Sequence, residues 1–457
     1  MTRKGPLTRG EMRLLIIAIL FVAIVGSIGY GFYSINVDPV VHVPMPVMPN
    51  PNALDVYLAA EALEVPSIPT PAGSRRELTV DDVRDCIHAG KIAPRSRWGA
   101  GAKAPALADM QALMAKNTPA MSAAKKGFAF EYRGTPMRSL DQLFPDYSRL
   151  RNLARVMAAD GEVKCASGNW DGGMERLVDV LRLGIDPPRG GGLLAAQLGI
   201  GIHTIGRGEA WTALDRVSGA AAKRAARRLE AMAVKRVPYA DILQEEKWGM
   251  QASLIKEFNM PGWRSNGVLS LIGNASRNKR FFSFRLQIAS KRAIIANYNL
   301  YMDAAIANAK KPYPAFTKSP SLPGDPICRL LVSIYDKAWL QYAINQTQNE
   351  LLMVSLALRA YKADHGRYPA DLNALVPAYL KAVPSDPFTA KGTLSYKVTG
   401  QSYVLYSVGP DGQDNGGAAS ADGKAGPTGR NLHVGSKGDI VAGVNTSVPV
   451  MMFPSSI

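Results

Sequence analysis

The sequence predicts an α+β protein that combines a single N-terminal transmembrane helix, a mainly α-helical middle domain and a C-terminal unit of one helix on a small antiparallel sheet. Three observations predict this fold class. An uncharged run lies near the N-terminus, helical spacing of apolar residues dominates the middle of the chain, and two strand-like segments follow the last helical pattern. The predicted boundaries are 1–36 for the cytoplasmic stub and span, 37–75 for a linker, 76–343 for the helical domain and 344–457 for the C-terminal domain.

The run from Leu14 to Phe32 contains no charged residue, and at about 1.5 Å of rise per residue it can cross a hydrocarbon core of about 30 Å. Basic residues dominate the segment before it, with only Glu11 in opposition: Arg3, Lys4, Arg9 and Arg13. The alternative is a cleavable signal peptide, whose apolar region is normally about 7 to 15 residues long and precedes an A-x-A-like site. Because this run is longer and no such site follows, we predict a single-pass protein of the inner (cytoplasmic) membrane. The positive-inside rule places everything after Tyr33 in the periplasm.

A proline-rich linker follows the span. The segment Asp38–Asn52 contains five prolines, and Pro66–Pro71 adds three more. Since proline fixes φ and cannot donate a backbone hydrogen bond, such segments are stiff and extended. Between them, Asn52–Leu63 has a short helical pattern.

The middle domain reads as irregular and all-α. The segments Leu150–Cys165 and Trp170–Leu183 have helical spacing and are joined by Ala166–Asn169. This helical hairpin resembles one tetratricopeptide unit. No further copy follows at a fixed period, so the sequence predicts one repeat-like hairpin rather than a solenoid.

The net charge of +17 belongs almost entirely to the first 344 residues, because residues 345–457 carry about nine basic and eight acidic side chains. Two basic runs stand out, Lys223–Arg236 and Arg277–Arg292. Basic amphipathic helices suit contact with anionic lipid headgroups or cell-wall polymers, and the alternative is a solvated helix face. Nucleic acid is not an expected partner, because the predicted topology places this region outside the cytoplasm.

The C-terminal domain begins with an amphipathic helical pattern from Thr347 to Asp364, with Gly366 as its stop signal. A second helical element is expected over Leu372–Leu380. Two segments rich in aromatic and β-branched residues follow, Leu394–Val398 and Tyr403–Val408. The three residues between them are typical of a hairpin connection, so the sequence predicts one helix lying on two antiparallel strands.

The stretch from His365 to Gly417, which begins HGRYPADLNALVPAYL, resembles the C-terminal globular domain of the major pseudopilin (protein G type) of type II secretion systems. This resemblance covers about a quarter of the chain. It implies a protein that acts through protein partners in the cell envelope. Enzymatic activity is not expected, because the sequence contains no catalytic motif.

The resemblance also implies a calcium ion that orders the loop after the second strand. The matching pieces are VGPDG at Val408–Gly412 and GDIV at Gly438–Val441. Calcium takes carboxylate and carbonyl oxygens, which makes Asp411, Asp439 and the Val408 carbonyl the candidate ligands. Two other aspartates are weaker candidates, Asp414 and Asp422. The alternative is a flexible, glycine-rich loop with solvated aspartates.

The N-terminus departs from the pseudopilin pattern. A prepilin-peptidase site has a glycine before the mature N-terminus and a glutamate at the fifth mature position, whereas Gly10 is followed directly by Glu11, and then by Met12 and Arg13. Roughly 310 residues separate the span from the pseudopilin-like domain. The chain is therefore not expected to pack into a pilus as an ordinary subunit does.

Cysteine usage leaves two alternatives open. Cys86, Cys165 and Cys328 are widely spaced and match no metal or redox motif. In an oxidising periplasm one pair could form a disulfide, and unpaired buried thiols are the other interpretation.

No catalytic constellation is evident in the sequence. None of the five histidines belongs to an H-E-x-x-H pair, and neither a G-x-S-x-G elbow nor an S-x-x-K motif is present. The glycine-rich segment Arg189–Gly192 lacks the lysine of a P-loop and is expected to be an interhelical loop. His203 is expected to be an ordinary helix residue, and the adjacent Glu245 and Glu246 would point about 100° apart on a helix.

These observations favour a membrane-anchored envelope protein that takes part in assembly or type II secretion through protein contacts. A periplasmic helical scaffold or sensor without a secretion role is the second hypothesis. An unrecognised hydrolase is the third, and it would require a pocket with converging polar side chains in the helical domain.

Overall fold

The structure is a computed structural model that describes residues 9–69, 77–88, 105–270, 279–311, 313, 324–332, 335–420, 425–426, 429–430, 432 and 435–444. The first helices in this part of the chain are α1 (Arg9–Asn36), α2 (Ala53–Glu61), α3 (Val80–His88), α4 (Leu107–Lys116), α5 (Thr118–Gly127), α6 (Pro145–Ala166), α7 (Trp170–Gly184) and α8 (Gly192–Ala213). They are followed by α9 (Gly219–Val234), α10 (Tyr239–Phe258), α11 (Trp263–Asn266), α12 (Lys279–Gln287), α13 (Lys291–Ala309), α14 (Pro326–Val332) and α15 (Tyr335–His365).

The strands are short and antiparallel. They are β1 (Ser67–Ile68), β2 (Leu78–Thr79), β3 (Ser395–Thr399), β4 (Ser402–Ser407), β5 (Ala425–Gly426), β6 (Gly429–Arg430) and β7 (Ile440–Val441). Three of them form a sheet in the order β3-β4-β7, and β1-β2 and β5-β6 form separate pairs. A helical protein with small antiparallel sheets is the predicted α+β class, which is confirmed.

Helix α1 contains the predicted span. Its segment Met12–Asn36 is long and apolar enough to cross a membrane, and none of its hydrophobic window is buried by the rest of the chain. Isolated exposed apolar helices are unstable in water, so the composition of α1 suits a hydrocarbon environment.

The linker after α1 is extended and reaches the helical domain. Arg138 donates a hydrogen bond to the Pro44 carbonyl at 3.3 Å. At its end the buried Asn52 side chain accepts from Leu54 N and from Arg133 N, each at 3.1 Å. Asn52 therefore caps α2 and fixes the linker to the loop before α6.

The predicted hairpin is present as α6 and α7, which cross at two glycines. A Cβ on Gly173 would lie 2.3 Å from Cys165 Sγ, and one on Gly161 would lie 3.0 Å from Leu177. Helix α8 then packs on α7 in the same way, since a Cβ on Gly199 would lie 2.7 Å from the Gly184 carbonyl oxygen. Small residues at the crossings allow the backbones to approach closely.

The helices bury two hydrophobic cores. Among the described residues, the first is built from α2–α9, from most of α15 and from the C-terminal sheet, whereas the second lies among α10–α14, one face of α8 and the beginning of α15. Tyr335 and Tyr342 belong to the second core, and Leu351 and Leu358 belong to the first. Helix α15 therefore passes through both cores, and the predicted boundary at 343/344 falls inside it.

The C-terminal strands match the prediction closely. The β3–β4 hairpin turns at Gly400, whose φ is +59°, and Thr399 faces Ser402 across it. The expected helix over Leu372–Leu380 is wrong in length, because only a 3-10 turn over Leu372–Leu375 forms. Pro377 lacks an N–H and favours an extended residue before it, and Val376 has φ −101° and ψ 135°.

Candidate functional site

The loop after β4 returns to pair with β7, which brings the two predicted calcium segments together. Tyr406 and Ser407 of β4 face Val441 and Ile440 of β7. Close packing continues beyond the strands, because a Cβ on Gly409 would lie 2.6 Å from the Gly438 carbonyl oxygen. The segments Val408–Gly412 and Gly438–Val441 are thus neighbours.

Asp439 lies at the centre of this loop. Its side chain is fully buried and accepts backbone hydrogen bonds from Asn415 at 3.2 Å and from Gly417 at 2.6 Å. Burial raises the pKa of Asp439, the two hydrogen bonds lower it, and the nearby carboxylates of Asp414 and Asp411 raise it further. The loop therefore concentrates negative charge around one buried carboxylate.

The carboxylates of Asp411 and Asp414 lie near Asp439. Asp411 accepts from Gln413 N at 3.1 Å and from Gly438 N at 3.4 Å, so its carboxylate borders the residue before Asp439. Asp414 accepts from Tyr406 at 2.9 Å, and Asp422 lies outside the described residues. Among the residues that the structure describes, no three His, Cys, Asp or Glu side chains are grouped so as to hold a metal ion.

Asp386 is a buried residue of this site that sequence reasoning missed. It accepts from Phe388 N at 2.9 Å, from the Ser407 hydroxyl at 2.7 Å and from Val408 N at 3.0 Å. These bonds fix Val408, the third predicted ligand, at the end of β4. The sequence feature that could have indicated Asp386 is Ser-Asp-Pro at 385–387. There Asp386 accepts from the N–H two residues further on, as in an Asx turn.

A second polar cluster joins α8 to α15. The Arg207 guanidinium, only 1% exposed, donates to the side-chain oxygens of three residues of α15: Asn345 at 2.9 Å, Asn349 at 2.7 Å and Gln348 at 2.6 Å. Burial lowers the pKa of Arg207 to about 9. The three amide oxygens compensate in part for the water that this cation loses.

His203 completes this cluster and confirms the expectation of an ordinary helix residue. Its ring lies 3.1 Å from the Leu181 carbonyl through Nε2 and 3.0 Å from the Asn345 amide through Nδ1. Burial, together with the charge of Arg207, lowers the pKa of His203 to about 3. The imidazole is therefore neutral at physiological pH and serves as a structural partner.

The basic run on α9 contacts the C-terminal domain. Lys223 lies over the Tyr379 ring at 4.9 Å, and Arg227 donates to the Pro377 and Ala378 carbonyls at 2.5 and 3.1 Å. Just beyond the helix, Arg236 is 3.2 Å from the buried Glu350 carboxylate. This run therefore stabilises the contact between the helical domain and the C-terminal domain.

Two of the cavities in the described part of the helical domain contain charged side chains. One, of about 40 Å³, is lined by His203, Arg236, Asn345 and Glu350, and it has room for only a few water molecules. The other is an open cleft of about 360 Å³ beside the Arg133–Glu245 ion pair. Burial raises the pKa of the Cys165 thiol to about 11, which makes it a poor nucleophile.

Two of the cysteines are buried in different places. Cys165 packs at the α6–α7 crossing, and the Cys328 thiol donates to the Ile294 carbonyl at 3.3 Å. Both are free thiols, so the interpretation of unpaired buried thiols holds for this pair.

Helix α15 and the sheet that covers its C-terminal half form a helix-and-sheet unit. Residues 337–425 match the family described as type II secretion system (T2SS), protein G. The match begins near the start of α15 and covers about a fifth of the chain. The predicted resemblance is confirmed for this region. Comparisons with curated proteins and with solved structures give no significant match.

Proposed function

We propose that this protein is a single-pass membrane protein of the cell envelope whose C-terminal domain is an interaction module of a type II secretion-like machinery. The observation that carries the proposal is the match of residues 337–425 to the protein G family. No catalytic role is proposed, since the family is one of secretion components, and the buried Arg207 cluster is held by hydrogen bonds among its own side chains.

The long helix of this module packs against the helical domain of the same chain. In the described residues α15 packs on α8 and α9 and contributes to both hydrophobic cores. A helix buried in this way has little surface left for lateral packing against other subunits. The domain therefore presents its sheet and loops to partners, rather than its long helix.

The proposed anchor is α1, with the rest of the chain on the periplasmic side. Its apolar segment Met12–Asn36 supports a span, and the basic residues before it support this orientation. Inner membrane and envelope proteins are thus the proposed partners.

Site-specific photo-crosslinking tests the proposed partners. Strand β3 is one of the two edge strands of the three-stranded sheet, and Val398 on it is 40% exposed. A photo-reactive amino acid at position 398 is expected to crosslink components of a secretion or pilus machinery in intact cells. Position 234 is the matched control, because Val234 is 85% exposed at the end of α9. Identical products from both positions, or none from either, would refute the proposal.

We further propose that the loop around Asp439 binds calcium. The residues fit this ion in their chemistry, because calcium requires oxygen ligands and the Asp411 carboxylate accepts from Gly438 N, directly before Asp439. Asp411, Asp439 and the Val408 carbonyl are the proposed ligands. A bound divalent cation would neutralise the negative charge that surrounds the buried Asp439 carboxylate.

Calcium titration followed by thermal melting tests this site. Calcium is expected to raise the melting temperature, since a ligand that binds only the folded state stabilises it. The Asp411→Ala substitution should abolish this response, whereas Asp81→Ala, at an exposed position of α3, should retain it. Because the pKa of Asp439 is raised, its contribution to stability is lost as pH rises, and the calcium effect should grow with pH. If calcium raised the melting temperature of Asp411→Ala as much as that of the unsubstituted protein, calcium binding at this loop would be refuted.

A periplasmic scaffold or sensor is the second candidate function. It is supported by the first hydrophobic core, which runs without interruption from the helical domain into the C-terminal sheet. If crosslinking finds envelope proteins outside any secretion machinery, this alternative is favoured.

A further inference from the structure

Helix α12 carries an exposed apolar stripe that the proposed function does not use. Phe281 and Phe284 are 56% and 62% exposed, and Ile288, just beyond the helix end, is 48% exposed. These three positions are spaced i, i+3 and i+7 and so share one helix face. The opposite face already packs in the second core through Phe282 and Leu286, which are 6% and 0% exposed. The stripe is therefore additional to the packing of this helix.

Basic side chains border the stripe on both sides. At about 100° per residue, Arg280 and Arg285 lie roughly 70° to either side of its centre. Arg280 is exposed, and Arg285 is 40% exposed and 3.9 Å from Asp325. An apolar stripe between cations is the pattern of a helix that lies in a membrane interface.

Hydrogen bonds place this helix at the end of the proposed span. Arg264 donates to the Ile35 carbonyl at 3.1 Å and to the Asn36 side chain at 2.9 Å, both at the C-terminal end of α1. The same guanidinium donates to the Ala289 carbonyl at 2.8 Å, two residues beyond α12. Arg264 therefore joins the end of the span directly to the end of α12.

A second pair of bonds restrains the same junction. Lys291, which is 8% exposed, is 2.7 Å from the Asp38 carboxylate, and Arg292 donates to the Asp38 carbonyl at 3.2 Å. Both cations belong to the first turn of α13, directly after α12. The position of α12 relative to the last residues of α1 is thus fixed from two sides.

We propose that α12 is a membrane-surface element that inserts Phe281, Phe284 and Ile288 into the leaflet where α1 emerges, with Arg280 and Arg285 on anionic lipid headgroups. This inference rests on the proposed membrane anchoring by α1. Charge complementarity favours an anionic leaflet, and continuity with the span brings the helix to it. The contact would fix the orientation of the whole exported part relative to the membrane, because α12 is packed in the second core.

Spin labelling of the full chain in nanodiscs tests the proposal. A nitroxide is attached at Phe284→Cys in a Cys86→Ser background, and its accessibility to oxygen and to a water-soluble nickel chelate is measured. Bilayers of phosphatidylcholine alone are compared with bilayers that contain phosphatidylglycerol. The expected result is a label that oxygen reaches several-fold better than the chelate does, with a larger ratio in the anionic bilayer.

The matched control is a label at Val234→Cys, which is 85% exposed at the end of α9 and should remain accessible to the chelate in both bilayers. Each cation near an anionic surface contributes about fivefold to partitioning, so Arg280→Gln/Arg285→Gln should remove the effect of phosphatidylglycerol. If position 284 is as accessible to the chelate as position 234 while α1 remains inserted, the proposal is refuted. A label shielded from both reagents would indicate a protein contact and would also refute it. Failure of the chain to enter nanodiscs would instead contradict the proposed anchor.

Discussion

The buried Arg207 cluster predicts that the substitution Gln348→Leu destabilises the protein strongly. Gln348 is 1% exposed and accepts from Arg207 at 2.6 Å. Leucine keeps the volume but removes this acceptor from a cation that stays buried. A hydrogen bond to a charged group contributes about 1.5 to 3 kcal/mol to stability. Removing one partner of a buried ion pair destabilises a protein by about 3 to 5 kcal/mol. We expect a loss of about 3 kcal/mol in the free energy of unfolding.

Removing the cation as well should restore part of this stability. The pKa of Arg207 is lowered from 12.5 to about 9, which corresponds to a cost of about 5 kcal/mol for burying the charge. Arg207→Met relieves that cost but leaves the buried oxygens of Asn345 and Gln348 without this donor, at about 1 to 3 kcal/mol each. The free energy gained by not burying the charge and the free energy lost at the amide oxygens nearly cancel. The double variant Arg207→Met/Gln348→Leu should therefore lose less than Gln348→Leu alone.

Urea unfolding of the full chain in detergent, followed by the fluorescence of its six tryptophans, measures these differences. Gln341→Leu is the matched control on the same helix, because the buried Gln341 Oε1 accepts no hydrogen bond and its loss should cost little. If the losses of the two single variants simply add in the double variant, Arg207 and Gln348 are not coupled and the reasoning fails.

Three further predictions concern other sites. Because the pKa of His203 is lowered to about 3, its contribution to stability is present above pH 6.5 and is lost as pH falls, by up to about 5 kcal/mol; urea unfolding at several pH values should show a flatter dependence for His203→Gln. Gly199→Ala should cost about 1 to 3 kcal/mol in thermal unfolding, because its Cβ would lie 2.7 Å from the Gly184 carbonyl oxygen, whereas Gly201→Ala on the same helix has open space and should not destabilise. Asp386→Ala should lose about 3 kcal/mol and speed hydrogen exchange at Val408, since three buried donors lose their acceptor; unchanged exchange there would contradict the role assigned to Asp386.

The sequence predicted best the turns and helix ends that nearby glycine and capping residues determine. Helix α6 ends and α7 begins within one residue of the expected bounds, because Gly168 has φ +85° and Asn169 caps α7, whereas α6 starts five residues before the expected Leu150. The hairpin of β3 and β4 likewise follows from Gly400. The helix expected over Leu372–Leu380 was wrong, because the pattern of apolar residues was given more weight than Pro377.

The contacts that join the domains could not be predicted in the same way. Arg207 and its partners on α15 are about 140 residues apart, and nothing in the segment GIGIHTIGRGEAW indicates which residues its single arginine meets. The calcium segments were identified because a resemblance pointed to them. Asp386 was missed because its Asx turn is indistinguishable, from sequence alone, from any surface turn.

Helix α15 also has a mechanical consequence. Its 31 residues form a rod about 46 Å long, which starts in the core that Arg264 ties to the end of α1 and finishes beneath the C-terminal sheet. A force applied to the sheet would be carried along this rod into the second core and from there to the end of α1. With α1 as the proposed membrane anchor, a partner that pulls on the C-terminal domain would therefore also pull on the membrane.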